Sequence, residues 1–460
     1  MKRLTAVVLM SLSCALLGLS PCSAQTPASN KPSQRIVKKV LDSGLTVIVK
    51  PEEGSGLVAV VAIVKVGAGQ ESIQTAGVGN FVSRLLLASS RVKSAEQVAS
   101  IADEVGGNIG TQWEPDLTSI KAVTTSVGFD KAMSLIGESL TEANFESQWV
   151  EQQRKELLTS MAAGSDDPFD RAYAELRQLL YEDNGYRRPY TVTKRAVELA
   201  TPQDLQKFFG MYYAPNNMVL SIAGDVTVEH ALDRVEKAFA GVSQRKLPVD
   251  RGAPDETLDH PKLRASEADL STAYMMIGWL APGVGSSDYP AFAVAVNALG
   301  GGKGSLMFQE LRQKQGVGYQ IGAVYPKLKY QSHVVAYVVT DPSKNLVPGT
   351  SASTELEAAR NDLVGLVGAL KEKQLSPEDL ARAKGYTIGS YALSHQHLLD
   401  RAYLLGWSEA AGVGYEFDTR FGDQVDRVTA ADVQRVALKY FTNYAAVLVL
   451  PKGKSEPTAK

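Results

Sequence analysis

The sequence predicts an α+β protein of two equivalent halves, each an antiparallel-rich sheet covered by helices. Three features of the 460-residue chain lead to this prediction: an internal repeat, a polar segment between its two copies, and the same mixture of strands and helices on both sides. We place the halves at residues 33–241 and 264–455, with a linker at 242–263 and a signal peptide at 1–24.

The internal repeat is the clearest of these features. Residues 201–225, TPQDLQKFFGMYYAPNNMVLSIAGD, align without gaps with residues 429–453, TAADVQRVALKYFTNYAAVLVLPKG. Each copy is typical of a helix with a threonine cap and an acid in its first turn, followed by an apolar strand. Chance similarity would explain two amphipathic helices, but the shared cap and strand favour duplication.

The segment between the halves, VSQRKLPVDRGAPDETLDHPKL, is polar and contains three prolines, which predicts an extended linker. Before it, 44–50 and 57–68 are predicted strands and 76–90 a helix. Residues 94–107 begin with a Ser-x-x-Gln capping box and end on glycine, as a helix does. After the linker, the scheme repeats at 272–280, 289–302 and 332–341.

The N-terminus has the pattern of a secretory signal peptide. A basic start is followed by an apolar stretch and by small residues, with an expected cleavage after Ala24. Both cysteines, Cys14 and Cys22, lie in this segment, so we expect a mature chain without disulfides. Pro21 disfavours Cys22 as a lipid-carrying cysteine. The expected location is therefore the periplasm or the outside of the cell.

Charge and hydropathy argue against two kinds of partner. Cleavage leaves 46 basic residues against 50 acidic ones, which argues against nucleic acid. No apolar run after the signal peptide approaches the roughly 20 residues that span a bilayer, so no membrane span is expected.

The predicted helix at 76–90 and the strand before it carry a family resemblance. VGAGQES (66–72) followed by TAGVGNFVSRLLL (75–87) resembles the pitrilysin/insulinase family of metallopeptidases, which includes the mitochondrial processing peptidases. In that family this helix carries an inverted zinc motif, His-x-x-Glu-His. The five positions here are Asn80, Phe81, Val82, Ser83 and Arg84. The family's third ligand, a later glutamate, corresponds to Ser160.

These residues do not suit zinc. Asn80 is a poor ligand, Ser83 has no carboxylate to accept a proton from water, and Arg84 stays protonated and offers no lone pair. The sequence therefore predicts no metal and no cofactor in this chain, and the resemblance implies that zinc sits in a partner chain.

The remaining candidates for a substitute site are weak. His395 and His397 form the one close pair among five histidines, but a spacing of two in a segment that looks helical points the side chains apart. A surface or packing role is the better interpretation. The mature chain has no cysteine to pair with a histidine, and it has no Gly-x-Ser-x-Gly motif.

The second half keeps another part of the family pattern. GGGKGSLMFQELRQKQGVGYQ (300–320) resembles the family's glycine-rich turn and helix with an arginine, followed by a tyrosine seven positions later, here Arg312 and Tyr319. In active relatives this pair hydrogen-bonds the substrate backbone near the scissile carbonyl, where donors stabilise an oxyanion. The alternative is structural: Arg312 complements the end of its helix and Tyr319 packs on a strand.

Two further segments bear on peptide binding. The glycine-rich run GGGKGS (300–305) does not have the residue order of a phosphate-binding loop. It fits a flexible segment before a helix, with weak contact to a peptide. GGNIGTQWEPDLTSIKAV (106–123) resembles the family's cleft-edge strand, to which an extended substrate adds as a β-strand. At the family's Asn-Ala step this chain has Gly110 and Thr111, a change that main-chain pairing with a peptide would survive. The alternative is an ordinary edge strand.

The resemblance covers roughly residues 36–452 and implies a non-catalytic subunit, not an enzyme on its own. It would pair with a zinc-bearing paralogous peptidase and lend Arg312 and Tyr319 to a cleft that holds an extended peptide. The alternative is a peptide-binding or structural scaffold without a peptidase partner.

Overall fold

The strands form two mixed sheets in the computed structural model, which describes residues 35–72, 75–88, 90–106, 108–162, 167–188, 193–250, 252–341 and 352–452. The first sheet contains β1 (Val37–Val40), β2 (Thr46–Pro51), β3 (Leu57–Val64), β4 (Ile109–Trp113), β5 (Thr118–Thr125) and β6 (Met218–Gly224). The second contains β7 (Lys262–Ala268), β8 (Ala273–Ala281), β9 (Gln320–Val324), β10 (Ser332–Thr340) and β11 (Ala445–Pro451).

The two sheets have equivalent topologies. Their strand orders are β1-β2-β6-β3-β5-β4 and β7-β11-β8-β10-β9. Each contains one parallel pair, β2 with β6 and β7 with β11, and its other pairs are antiparallel. The parallel pairs form because the last strand of each half returns to the middle of its sheet. The predicted α+β class with antiparallel-rich sheets is confirmed.

Helices cover both sheets. They are α1 (Val78–Leu85), α2 (Ala95–Glu104), α3 (Phe129–Thr141), α4 (Ser147–Ala162), α5 (Pro168–Leu180), α6 (Lys194–Leu199), α7 (Pro202–Tyr212), α8 (Val228–Ala238), α9 (Tyr289–Gly300), α10 (Ala352–Glu372), α11 (Pro377–Leu393), α12 (Leu398–Ala410), α13 (Glu416–Asp426) and α14 (Ala430–Tyr440). A π-helical segment, Phe308–Lys314, precedes β9. None of the helices among the described residues is long and apolar enough to cross a membrane.

The repeated segments occupy equivalent places. Thr201 caps α7 and Thr429 caps α14, each in a capping box with the aspartate three residues later. The strand after each helix, β6 or β11, lies between a parallel and an antiparallel neighbour. The sequence repeat is therefore also a repeat of cap, helix and strand in the fold.

The halves exchange helices. From the first half, α5 packs on β8 and β11 of the second sheet, and from the second half α12 packs on β3 and β6 of the first. Glycines permit close approach at both contacts: a Cβ on Gly406 in α12 would lie 3.0 Å from the Ser221 Cβ, and one on Gly278 in β8 would lie 2.8 Å from a Leu180 methyl. Described residues from Arg35 onward form one compact unit, and the domain boundaries drawn from sequence stay a prediction.

Several predicted elements differ in length. The strand predicted at 57–68 ends at Val64, and the helix predicted at 76–90 spans Val78–Leu85. The linker prediction overlaps β7, whose first residues, Lys262 and Leu263, pair in parallel with β11. His395 and His397 lie in the turn between α11 and α12, so the helical prediction for that pair was wrong. The predicted signal peptide lies outside the described residues.

Candidate functional site

The start of α1 is fixed by a buried carboxylate. Gly77 precedes the helix with a φ of 95°, a left-handed conformation that favours glycine. Glu71 accepts hydrogen bonds from the Gly77 amide at 2.8 Å and the Gly79 amide at 2.7 Å, which satisfies donors at the helix start. Burial raises the pKa of the Glu71 carboxyl to about 7, although the two amides and the charge of Arg188 oppose the shift. The Arg188 guanidinium also donates to the Glu71 backbone carbonyl.

The outer two positions of the family's zinc motif are linked to each other. Arg84 Nε donates to Asn80 Oδ1 at 3.0 Å, which is possible because residues four apart share a helix face. Asn80 is 8% exposed, Ser83 is buried between them, and Arg84 is exposed. A guanidinium therefore occupies one ligand position and hydrogen-bonds the side chain at the other. These residues do not fit a zinc ion, since neither a histidine nor a carboxylate faces the site from α1.

The elements around this position are an edge strand and a second helix. β4 lies at the edge of the first sheet and packs against α1. The Trp113 ring lies so close to α1 that a Cβ on Gly79 would be 2.0 Å from it. α4, which carries Ser160, also contacts α1, but the Ser160 side chain lies outside the described residues. At Gly110 a Cβ would meet no atom within 4 Å, so this part of the edge is open.

No substitute metal site is present in the described part of the chain, where no group of three or more His, Cys, Asp and Glu residues is placed to hold an ion. Two of the histidines, His333 and His395, have structural partners instead. His333 is buried between the Tyr173 and Tyr181 hydroxyls at 2.6 and 2.8 Å, and burial lowers its pKa to about 3. His395 contacts Asp418 at 2.9 Å, which raises the pKa of its imidazole.

Arg312 and Tyr319 lie together at the edge of the second sheet. Arg312 is on the π-helical segment and donates from Nη1 to the Gly318 carbonyl at 2.5 Å, directly before Tyr319. The Tyr319 amide bonds the Val339 carbonyl at 2.9 Å, while its side chain is 49% exposed. Arg312 therefore holds the loop that presents Tyr319. Arg312 also lies in the last turn of the π-helical segment, as the structural alternative expects, while about half of the Tyr319 side chain is in solvent.

The two candidate groups occupy edges of different sheets. Asn80 and Arg84 adjoin β4, and Arg312 and Tyr319 adjoin β9, the equivalent strand of the second sheet. Sequence reasoning missed Glu71, Arg188 and Trp113, which hold α1 in place. Glu71 could have been found from sequence, because it lies six residues before the glycine that precedes the helix. The contacts of Arg188 and Trp113 with this region are long-range, and no sequence pattern indicated them.

Solved proteases share this fold. A protease from Helicobacter pylori matches with a TM-score of 0.82 and 20% identity, over 91% of this chain and 100% of that one. The first half of the periplasmic protease PqqL from Escherichia coli matches with a TM-score of 0.73 and 15% identity, over 91% and 92%. An uncharacterized zinc protease of Mycobacterium tuberculosis is 25% identical over 419 residues, 90% of this chain and 93% of that one.

The fold is thus that of a two-half metallopeptidase scaffold, here with a first-half site that does not suit the metal. Two family models agree: residues 46–194 match the insulinase family (peptidase family M16), and residues 200–385 match the peptidase M16 inactive domain. This chain belongs to peptidase family M16.

Proposed function

We propose that this protein is a non-catalytic subunit that pairs with a zinc-bearing relative and completes a peptide-cleaving cleft. The hydrogen bond between Arg84 and Asn80 carries the proposal, because it joins the two positions at which the family binds metal. A chain that lacks the family's metal ligands contributes to metal-dependent peptide hydrolysis only through a partner that has them.

The contribution of this chain would come from Arg312 and Tyr319. A guanidinium has five N–H donors, so the bond to Gly318 leaves others for a substrate carbonyl. The half-exposed Tyr319 is able to donate its hydroxyl to the same peptide. Such donors act on the transition state when they are fixed before negative charge develops on oxygen, and the bond from Arg312 to Gly318 fixes this loop.

The edge strand β4 would bind the peptide itself. It pairs with β5 on one side only, so its other side offers backbone donors and acceptors to an added strand. Gly110 and Thr111 lie within β4, and the open space at Gly110 leaves room for a neighbouring chain.

Two further points support pairing in an exported location. The Escherichia coli structure is the first half of a longer periplasmic protease, and this chain matches 92% of that half. The signal-like residues 1–24 favour export to the periplasm or beyond.

The first test is the isolated protein. It should contain no stoichiometric zinc by elemental analysis and cleave no peptide. Asn80→His with Arg84→His should remain inactive, because Ser83 and Ser160 still supply neither the water-activating carboxylate nor the third ligand. One equivalent of tightly bound zinc together with chelator-sensitive proteolysis would overturn the proposal.

The second test is the partner. Tagged protein purified from its native host should carry a relative with an intact His-x-x-Glu-His motif in one-to-one ratio. Purification without such a relative, but with bound peptide or structural subunits, would replace this proposal with the scaffold alternative.

A further inference from the structure

A pocket of about 400 Å³ lies where the linker meets residues of both halves. Leu247, Pro248 and Val249 of the linker form an apolar side, and Tyr330 of the second half adds an aromatic surface. Lys65, directly after β3, contributes a cation from the first half. The pocket is independent of the degenerate zinc position and of Arg312 and Tyr319, which do not line it.

Lys65 is a partly buried cation whose amino group has no partner among the described residues. No hydrogen bond or ion pair joins its amino group to another residue in the described part of the chain. Burial lowers the pKa of Lys65, and the charge of Lys329 lowers it further. The negative charge of Glu409 raises the pKa of Lys65, but the Glu409 carboxylate already forms an ion pair with Lys38. A partly desolvated ammonium in this position favours an added anion.

Asp250 is the one carboxylate among the described residues that line the pocket, and it does not pair with Lys65. Asp250 accepts from Lys329 Nζ at 2.7 Å, from the Gly252 amide at 3.1 Å and from the Tyr330 hydroxyl. Those bonds neutralise Lys329 and leave Lys65 as the uncompensated charge among the described residues that line the pocket.

Two neutral donors accompany Lys65. Asn184 is 1% exposed and its Oδ1 accepts from the Tyr186 amide at 2.9 Å, yet its Nδ2 has no acceptor among the described residues. The Tyr212 hydroxyl, on the same pocket, makes no hydrogen bond within the described chain. Burial and the nearby Glu71 raise the pKa of Tyr212, which keeps the hydroxyl a donor. Of the two, Asn184 Nδ2 is a buried donor without an acceptor among the described residues, which is uncommon and costly.

We propose that this pocket binds a small organic carboxylate with an apolar body, and that Lys65 is the counter-ion of its carboxylate. The donors match a carboxylate, which accepts several hydrogen bonds. The apolar linker side and the aromatic rings match the rest of such a molecule, and the volume is in the range of small-molecule sites. A bare phosphate ion would leave this apolar side unused.

The test is isothermal titration calorimetry of the full mature chain with N-acetylphenylalanine as probe. Its neutral amide, N-acetylphenylalaninamide, and inorganic phosphate are the comparison ligands. The carboxylate should bind, and the amide should bind roughly ten- to a hundredfold more weakly, the range for loss of a charged hydrogen bond. Equal binding of acid and amide, no binding of the acid, or phosphate binding as tight as the acid would overturn the proposal.

Matched variants locate the site. Lys65→Met keeps the length of the side chain and should weaken binding of the acid by roughly the same factor. Lys207→Met, at an exposed lysine on α7, should leave it unchanged. Should Lys65→Met fail to fold, Tyr212→Phe removes a single hydroxyl and should weaken binding severalfold. If Lys65→Met folds and binds the acid with wild-type affinity, Lys65 is not the counter-ion. If Lys65→Met does not fold, wild-type affinity of Tyr212→Phe contradicts the proposed site.

Discussion

Glu71 shows how one side chain can fix the start of a functional helix. Its carboxylate satisfies two amides at the beginning of α1, and Arg188 holds its backbone carbonyl. The position of Asn80 and Arg84 therefore depends on a buried group that precedes the helix. Arg84 differs from Glu71: its side chain is exposed, and it places a cation where the family places a metal ligand.

The raised pKa of Glu71 predicts a pH-dependent stability. Between the ordinary value of 4.5 and the folded value of about 7, the folded chain keeps a proton that the unfolded chain has lost. The free energy of unfolding contributed by this group is therefore highest below pH 4.5 and falls as the pH rises to 7, by about 1 kcal/mol per pH unit.

Urea unfolding of the wild type and of Glu71→Gln across pH 4.5–7 measures this contribution. The wild type should lose stability relative to the variant as the pH rises. Two parallel stability curves would show that Glu71 does not titrate in this range.

At the scale of elements, the exchanged helices join the halves. α12 lies on the first sheet and α5 on the second, so each sheet depends on a helix from the other half. The exchange also explains the glycines, because Gly406 and Gly278 stand where helix and sheet approach most closely.

Gly406→Leu should destabilise the protein by about 1–3 kcal/mol, because the added side chain meets Ser221 and Ile63 with no room to move. Gly210→Leu is the matched control. Gly210 is also inside a helix, α7, but a Cβ there meets nothing within 4 Å, so this change should be neutral or stabilising by about 0.5–1 kcal/mol. Thermal unfolding distinguishes the two, and equal melting temperatures would contradict the close contact.

Sequence predicted the local elements well and the exchange not at all. The caps at Ser94, Thr201 and Thr429 are encoded within a few residues, and the structure contains all three. Strand β3 was predicted too long because Val66 and Ala68 continue its apolar run past Lys65. In the structure the ladder with β6 ends at Val64, and the backbone amide of Lys65 donates to the Asn217 carbonyl beyond it. Which half a helix covers depends on contacts between distant segments, and periodicity does not encode those.

Part of the candidate site was likewise predictable from the sequence and part was not. The absence of metal ligands at Asn80, Ser83 and Arg84 follows from residue identity alone. The bond between Arg84 and Asn80 follows from helical spacing. The bond from Arg312 to Gly318 starts on a π-helical segment, which no sequence pattern predicted.

At the scale of the whole molecule, the halves should stay together without the linker. A protease site inserted after Arg245, an exposed linker residue, allows the chain to be cut between the halves. Because each sheet is covered from the other half, the cut protein should elute from gel filtration as one particle of the uncut size. Two half-sized particles would contradict the importance of the helix exchange.

The central claim is that this chain supplies transition-state donors to a partner's cleft. Its most direct test is the turnover of the reconstituted pair with Tyr319→Phe, since the change removes a hydroxyl alone. Loss of one such donor lowers kcat by something like ten- to a thousandfold. Tyr386→Phe is the control, because Tyr386 is 45% exposed in the same half.

Peptide hydrolysis by the two variant pairs gives the answer, with complex formation checked by gel filtration. The account predicts an intact complex in both cases, wild-type turnover for Tyr386→Phe, and a turnover lower by at least about tenfold for Tyr319→Phe. Wild-type turnover of the Tyr319→Phe pair would contradict a shared cleft.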